Sequence, residues 1–335
     1  MKRTHETRIR FFRTVTALAV FIVFAVSAAA ESSFEPFFRF DCDSPTAWQE
    51  PLGNVRFLTE GEYQLKPLAA EKLEQYGLSP DAMPDTTGMD TLNVSGSAEF
   101  SENQFRELAE KLRGLADGKE IYIFDCRIEG HGLLNGISVS WYGDQNWANQ
   151  GMSLEEAEAD ELQRFGALVG QTVTAYAVSN NAPGESAEID VSSWMTEKEL
   201  VESEGFHYLR LPCQDHSWPY EEAVDQFIAF VQTIDPDHVW LHFHCQAGKS
   251  RTGIFMAIYD MMKNPNVPFE DIMLRHAMTG SSYFPYADPN SGIAEVYALR
   301  AARIRQVYEY LQEMNGEFTV PWSRWIAERE AAAAR

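Results

Sequence analysis

Residues 238–253 of the chain read HVWLHFHCQAGKSRTG. The aromatic and branched residues at the start of this segment predict a strand over His238–His244, and the apolar residues that follow it predict a helix. Five residues separate Cys245 from Arg251, and a loop of this length can turn its backbone N–H groups inward at a helix N-terminus. Such a loop binds anions. Gly248 supplies the backbone freedom that the turn requires.

The same loop carries the groups that a nucleophilic phosphatase needs. Inward-pointing amide dipoles stabilise a thiolate, so Cys245 is the predicted nucleophile. The planar guanidinium of Arg251 fits two phosphoryl oxygens and is predicted to close the ring around them. Asp215 follows a predicted strand over His207–Leu211. On a mobile loop, it could protonate the leaving oxygen and then activate water.

Helices and strands alternate around this loop, which predicts an α/β layered fold. Further strands are predicted over Ile121–Asp125 and Thr172–Val178, whereas the small and polar residues of 181–188 predict an exposed loop. A capping box predicts a helix over Phe105–Leu115. The last long helix is predicted from Gly292 to Met314.

The first thirty residues have the order of a secretory signal peptide. A basic start is followed by the apolar run Val15–Val26 and by three alanines, which predicts cleavage near Ala30. The apolar run is shorter than a bilayer span requires. We therefore expect residues 31–335 to form a periplasmic or secreted protein without a membrane span in the mature chain.

The net charge of −23 argues against nucleic acid and anionic membranes as partners. Four cysteines are too few for a disulfide-stapled small domain, and Cys42 with Cys126 is the one pair considered. Spacing alone leaves that pair open. No Cys/His cluster has the spacing of a zinc site, so neither a metal nor another cofactor is expected. Tryptophans such as Trp147 are expected to pack rather than to contact ligand.

Three separated motifs resemble the bacterial cysteine phytases, which are protein-tyrosine-phosphatase-like enzymes that hydrolyse myo-inositol phosphates. The motifs are the loop at 244–253, the acid segment with Asp215, His216 and Pro219, and the stretch 125–143 with Asn146-Trp147-Ala148-Asn149 after it. The resemblance extends from about residue 53 to residue 313. It implies a protein-tyrosine-phosphatase-like three-layer core, with a mixed central sheet flanked by helices. It also implies a small partial β-barrel subdomain, expected from N-terminal strands and about 132–178.

The resemblance also implies a role for each matching residue. Cys245, Arg251 and Asp215 would be catalytic. The implied substrate-binding residues are His216, Gln246, Ala247, Gly248, Lys249, Ser250, Thr252, Arg56, Asn135 and Arg300. Arg56 matches a phosphate-binding Asn-x-Arg segment, Arg300 stands where relatives have a Lys, and Asn135 stands where some relatives have an Asp. Thr252 would stabilise the thiolate.

The function predicted from these features is a metal-independent phosphomonoesterase acting on inositol polyphosphates (phytate) through a phosphocysteine intermediate. A phosphotyrosine or phosphoinositide phosphatase, which would use the same chemistry, is an alternative that the sequence leaves open. In another class, a catalytically silent phosphate-binding module would need only the loop and its arginine. Lys249 either meets a phosphate next to the scissile one or is solvated at the rim of the loop. The sequence leaves the oligomeric state open.

Overall fold

The computed structural model describes residues 34–42 and 44–335, so the predicted signal peptide lies outside the described residues. Eleven strands occur in the described part. They are β1 Phe37–Phe40, β2 Arg56–Leu58, β3 Val94–Ser97, β4 Glu120–Asp125, β5 His131–Leu134, β6 Ile137–Tyr142, β7 Thr172–Ser179, β8 Ala182–Asp190, β9 Trp194–Met195, β10 His207–Arg210 and β11 Val239–His244.

Nine α-helices accompany these strands in the described residues. They are α1 Ala70–Gln75, α2 Glu102–Ala116, α3 Leu154–Gly166, α4 Glu197–Ser203, α5 Glu221–Thr233, α6 Ser250–Lys263, α7 Phe269–Met278, α8 Ala294–Met314 and α9 Trp322–Ala333. The predicted capping box opens α2, where Ser101 and Gln104 exchange hydrogen bonds with each other's backbone. Among the described residues, no helix combines the length and the apolarity that a bilayer span requires.

The central sheet has five strands in the order β10-β4-β11-β3-β2, and β2 alone runs antiparallel to its neighbour. All six residues of β11 are buried, as expected for a parallel strand covered on both faces. Leu241 and Phe243 pack against α5 to α9, while Trp240 faces α2 and α4 on the opposite side. This is the predicted mixed sheet between layers of helices.

A second sheet of six strands has the order β8-β7-β1-β6-β5-β9 and packs on α3 through Phe165. The N-terminal strand β1 joins it, as the subdomain prediction expected, but the sheet continues through β8 and β9 beyond residue 178. Its two edge strands, β8 and β9, do not pair with each other in the described residues. The sheet is therefore open.

The prediction of a loop over residues 181–188 was wrong, because residues 182–188 belong to β8, although the segment is largely exposed as predicted. Ser179 pairs with Ala182, and the two residues between them, Asn180 and Asn181, have φ angles of +50° and +60°. Two such residues form the tight turn of a β-hairpin. β8 is a largely exposed edge strand that contains Pro183 and Gly184, so backbone pairing rather than apolar alternation defines it.

The last long helix of the prediction is α8, but a further helix, α9, follows it. The sequence analysis missed α9 because most of its residues are charged or are alanines. Trp322 and Trp325 near its start are buried against Tyr310 of α8. Packing of these rings and of Ile326 fixes a helix whose residues from 327 onward are exposed.

Candidate active site

The loop between β11 and α6 forms the centre of the candidate site. Cys245 is only 3% exposed, and the hydroxyl of Thr252 donates a hydrogen bond to its Sγ at 3.1 Å. Gly248 has a φ of +66°, and a Cβ atom at this position would lie 2.4 Å from the carbonyl carbon of Ser97. The loop therefore closes tightly against the end of β3 through a position that only glycine fits.

The outer side of the loop is held by two side chains at the start of β2. The Asn54 amide donates to the carbonyl oxygens of Gly248 and Ala247 at 2.7 and 3.3 Å. Arg56 donates from Nη1 to the same Gly248 oxygen at 2.7 Å and from Nη2 to Ser281 at 3.2 Å. Fixing carbonyl oxygens on the outside leaves the loop's N–H groups free to turn inward.

These contacts give Arg56 a role in supporting the loop, and its predicted contact with phosphate stays a prediction. Its side chain is 7% exposed, and its guanidinium faces the main chain of the loop. Burial lowers the pKa of Arg56 to about 10, while the Cys245 thiolate opposes that shift. Asn54, which the sequence analysis assigned no role, has the same supporting function. Both side chains bond the carbonyl oxygens of the loop.

Arg251, the predicted clamp, is 1% exposed and donates from Nη1 to Oε2 of Glu129 at 2.6 Å. Its Nε lies 3.3 Å from Oδ1 of Asp215. Burial disfavours the charge of Arg251, but the carboxylates of Asp215 and Glu129 outweigh it and hold the pKa well above its ordinary value. Glu129 was not predicted as a site residue, because no local pattern distinguishes it from a surface glutamate.

Asp215 lies in the same cleft, and each of its oxygens accepts a hydrogen bond. Oδ1 accepts from the backbone N–H of His216, and Oδ2 accepts from the amide of Asn146, both at 2.9 Å. Burial raises the pKa of Asp215, but the positive charge of Arg251 outweighs burial, so the pKa is lowered overall. The group is thus ionised here. A phosphate dianion at Arg251 would offset that positive charge and favour the protonated acid.

The loop that carries Asp215 is anchored rather than loose. The indole Nε1 of Trp147 donates to the carbonyl oxygen of Asp215 at 2.9 Å, and Arg300 donates to that of His216 at 3.0 Å. Trp147 therefore also holds the acid loop through a hydrogen bond, and the expectation that it does not contact ligand stays a prediction. The sequence carried a weak signal for this hydrogen bond, because Asn146-Trp147 belongs to one of the motifs that resemble the phytases.

The remaining predicted ligand residues differ in their surroundings. His216, Ser250 and Arg300 come together, since Arg300 Nη1 also lies 3.3 Å from the Ser250 hydroxyl. Lys249 is exposed at the N-terminus of α6. The Gln246 side chain donates to the carbonyl oxygen of Asp41 at 2.8 Å, which ties the loop to the end of β1.

Asn135 is not at the site, which corrects its predicted role. It occupies the first position of an Asn-Gly turn between β5 and β6, with φ angles of +51° and +80° at Asn135 and Gly136. Its side chain bonds the backbone of Asp190, Ser192 and Ser193. The Asn-Gly pair is itself a strong hairpin signal, so the sequence contained the evidence for this structural role.

One cleft adjoins the loop, and a second lies next to Ser282, whose hydroxyl is 2.8 Å from that of Ser250 at the start of α6. The first, of about 330 Å³, is lined by Asn54, Gln246, Ala247 and Lys249 among others. The second, of about 320 Å³, is lined by Ser282, Tyr297 and Arg300 among others. The two clefts therefore extend the site beyond the space for one phosphate, and each has a cationic side chain in its wall.

A network of buried charges lies behind the loop, between the two sheets. Its carboxyl groups and basic side chains, six of each, belong to Asp41, Glu99, Asp125, Glu129, Glu161 and Glu197, and to Arg39, Arg127, Arg210, Arg251, His131 and His244. All twelve residues are less than 9% exposed. Sequence analysis did not predict the network, because charged residues are ordinarily exposed.

Two overlapping groups in this network have the composition of metal ligands, namely Glu99 with His131 and Glu197, and Asp125 with Glu197 and His244. Burial lowers the pKa of His244, but Glu197 and Glu99 outweigh it and raise the pKa to about 10. The carboxylates likewise raise the pKa of His131 well above its ordinary value, against burial and Arg127. Protonated imidazoles are hydrogen-bond donors and not metal ligands.

Cys126 is a free thiol in the structure, so the considered disulfide with Cys42 is not formed. Its Sγ lies 3.7 Å from the Phe124 carbonyl oxygen, and burial raises its pKa well above the ordinary value. The Sγ of Cys42 lies 3.5 Å from the hydroxyl of Ser138. Neither contact involves Cys245.

Comparison with known proteins places this geometry among characterised folds. The family model for protein-tyrosine-phosphatase-like phytases, whose description reads inositol hexakisphosphate, matches residues 124–263. Two structures of the phosphatase from Mitsuokella multacida are similar at 36% identity over 87% of this chain, with TM-scores of 0.74 and 0.75. One is a tandemly repeated phytase, and the other is bound to myo-inositol-(1,3,4,5)-tetrakisphosphate.

Two further relatives are similar. A protein-tyrosine-phosphatase-like phytase from Bdellovibrio bacteriovorus is 29% identical over 88% of this chain and 95% of its own, with a TM-score of 0.62. The effector protein hopD2 of Pseudomonas syringae pv. tomato is 24% identical over 73% of this chain. The chain spans about half the length of the Pseudomonas and Mitsuokella relatives, at 53% and 49%. The structural matches confirm the predicted fold class.

Proposed function

We propose that the chain is a member of the protein-tyrosine-phosphatase-like phytase family and a metal-independent phosphomonoesterase that removes phosphates from myo-inositol polyphosphates. The observation that carries the proposal is the convergence of three groups on one loop. The thiol of Cys245 accepts from Thr252 at 3.1 Å, and the guanidinium of Arg251 lies 3.3 Å from the acid Asp215. A silent phosphate-binding module would not need that acid.

The geometry supports a two-step reaction. In the first step the Cys245 sulfur attacks phosphorus, the bond to the ester oxygen breaks, and Asp215 gives its proton to that oxygen. In the second step Asp215 removes a proton from water, the water oxygen bonds phosphorus, and the sulfur leaves as a thiolate. Throughout both steps Arg251 and the loop N–H groups stabilise the charge on the phosphoryl oxygens.

The substrate class is argued from charge. The protein carries a net charge of −23, yet Lys249 lies in the wall of the cleft beside the loop and Arg300 in that of the cleft beside Ser282. Carboxylates line the same clefts, Asp41, Glu50 and Glu99 in the first and Asp288 in the second. A compact phosphate ester fills only the loop, whereas an inositol polyphosphate presents further phosphates to both cations. The inositol tetrakisphosphate complex of the Mitsuokella relative supports this assignment.

The experiment compares phytate with a phosphotyrosine peptide as substrates, in the presence of EDTA. We expect turnover of phytate at the higher kcat/KM. Cys245→Ser should abolish turnover and keep phosphate binding, because serine lacks a stable anion at working pH. Preference for the peptide would move the assignment to a phosphotyrosine phosphatase. Loss of activity in EDTA that zinc restores would contradict the metal-independent mechanism.

We also propose that the chain is exported to the periplasm or secreted, with residues 1–30 removed and residues 31–335 forming the mature tyrosine-phosphatase-like domain. The basic, apolar and small-residue order of the first thirty residues supports this. N-terminal sequencing of the protein from a periplasmic extract or culture medium should begin near residue 31. Recovery of the uncleaved chain from the cytosol would contradict the proposal.

A further inference from the structure

The side-chain amide of Asn146 contacts both Asp215, the proposed acid, and Glu129, which holds Arg251. It lies between β6 and α3 and is 2% exposed. Its Nδ2 donates to Oδ2 of Asp215 at 2.9 Å and to Oε1 of Glu129 at 3.0 Å. Ionised carboxylates only accept hydrogen bonds, so the nitrogen rather than the oxygen of the amide must face them. The two contacts therefore define the orientation of the side chain.

This contact makes the two oxygens of Asp215 inequivalent. Oδ1 is the oxygen beside Arg251, at 3.3 Å from Nε, and it also accepts from the N–H of His216. Oδ2 is bonded to Asn146. Because a phosphoryl group held by Arg251 would lie on the side of Oδ1, only that oxygen is placed to reach the ester.

We propose that Asn146 is a positioning residue for the acid, which keeps Oδ2 of Asp215 bonded and reserves Oδ1 for the transferred proton. The inference rests on the proposed function. In the first step, the proton on Oδ1 passes to the leaving ester oxygen as sulfur bonds phosphorus and the P–O bond breaks. In the second step, Oδ1 takes a proton from the attacking water, and the sulfur leaves as a thiolate.

The contact of Asn146 with Glu129 extends this role to the clamp. Glu129 Oε2 holds Arg251 Nη1 at 2.6 Å while Oε1 accepts from Asn146. The amide of Asn146 thus links the position of Asp215 to that of the Arg251 guanidinium. Displacing Asn146 should change the distance between acid and phosphate, to which proton transfer is sensitive.

The pH dependence offers a readout that a purely structural role would not change. The charged and titratable groups that face Asp215 are Arg251, His216, Glu129, Arg300, Tyr297 and Cys213. Of these, Asn146 contacts only Glu129, whose pKa Arg251 and Arg127 hold far below its ordinary value against burial. A change at Asn146 that adds no titratable group, such as Asn146→Gly, and that moves a pH limb therefore reports on Asp215.

The experiment uses Asn146→Gly and Asn146→Asp in the full chain. Asn146 has a φ of +65°, so glycine removes the side chain without backbone strain, and aspartate keeps its shape while losing one or both donors. Asn180→Gly is the matched control, an Asn→Gly change at a φ of +50° in the exposed β7–β8 turn. Trp147→Phe is the second control, since it removes a hydrogen bond to the main chain of Asp215 and leaves the carboxylate contacts in place.

We expect both Asn146 variants to lower kcat on phytate by about tenfold or more, and to lower kcat on an activated aryl phosphate much less. The alkaline limb of kcat/KM for phytate should move to higher pH in both variants, because the carboxylate has lost a donor. Trp147→Phe should lower kcat without moving that limb, and Asn180→Gly should change neither.

An unshifted limb, with parallel losses on both substrates, would overturn the role of Asn146. Thermal unfolding of each variant identifies a folding defect, and Asn146→Gly keeps the test available if the aspartate variant is unstable. A wild-type chain that turned over neither substrate would instead contradict the proposed function itself.

Discussion

Replacing Gly248 by alanine should distort the phosphate-binding loop. The new Cβ would lie 2.4 Å from the carbonyl carbon and oxygen of Ser97, whereas an ordinary contact is 3.4–4 Å, so the loop or β3 must move by about 1 Å. The backbone at this position has a φ of +66°. Left-handed backbone costs a non-glycine residue roughly 1–2 kcal/mol, and overpacking adds about 1–3 kcal/mol.

Gly77→Ala separates these two contributions. Gly77 has a φ of +68°, but a Cβ added there would meet no atom of a more distant residue within 4 Å, so this variant reports the backbone cost alone. We expect Gly77→Ala to lose about 1–2 kcal/mol of unfolding free energy in urea titrations and to keep wild-type turnover. Gly248→Ala should lose about 2–5 kcal/mol in total, and its kcat on an aryl phosphate should fall about 100-fold, the effect of a 1 Å misplacement. Equal stability of the two variants, with turnover retained in both, would refute the close approach of loop and strand.

Three further predictions follow from the site. Asp215→Asn should slow phytate hydrolysis by about 10²–10⁴-fold and slow hydrolysis of an activated aryl phosphate much less, and equal losses in steady-state assays would remove Asp215 from the acid role. Arg56→Ala should lower kcat/KM on both substrates in parallel, because its guanidinium holds the loop. Arg300→Ala should raise the KM for phytate by about tenfold or more and should also lower kcat on phytate, because Arg300 lines a cleft and anchors the main chain of His216 beside the acid. The pKa of His244 is raised from 6.5 to about 10, so its stabilising contribution is complete below about pH 6.5 and is lost as the pH rises through 10. Urea titrations should show the free energy of unfolding falling across that interval, and His244→Gln should show a smaller fall.

The loop and its flanking elements were predictable because local chemistry determines them. A strand, a Cys-x5-Arg loop that contains a glycine, and a helix follow one another in the sequence. The structure has them in that order between Val239 and Lys263. Asn135 was misassigned by position in the family resemblance, although its Asn-Gly turn pattern indicated a hairpin. Local chemistry was the better guide there.

The residues that sequence analysis missed act over long separations. Glu129 meets Arg251 across 122 residues, and Asn146 meets Asp215 across 69. Nothing in the neighbourhood of either residue predicts its partner, since the contact depends on how the two sheets come together. Arg56 was placed near the loop correctly, but the face of the loop that it contacts could not be read from an Asn-x-Arg spacing.

The segment between β6 and α3 has a consequence for any attempt to shorten this chain. By position it belongs to the second sheet, yet Asn146 and Trp147 hold the acid beside the loop of the central sheet. A fragment cut around the central sheet alone would keep Cys245 and Arg251 and lose the anchor of Asp215. Such a fragment should still accept a phosphoryl group from an activated ester, but it should hydrolyse sugar phosphates poorly. If the proposed activity holds, the second sheet adapts a general phosphoryl acceptor to alcohols that leave only as neutral molecules.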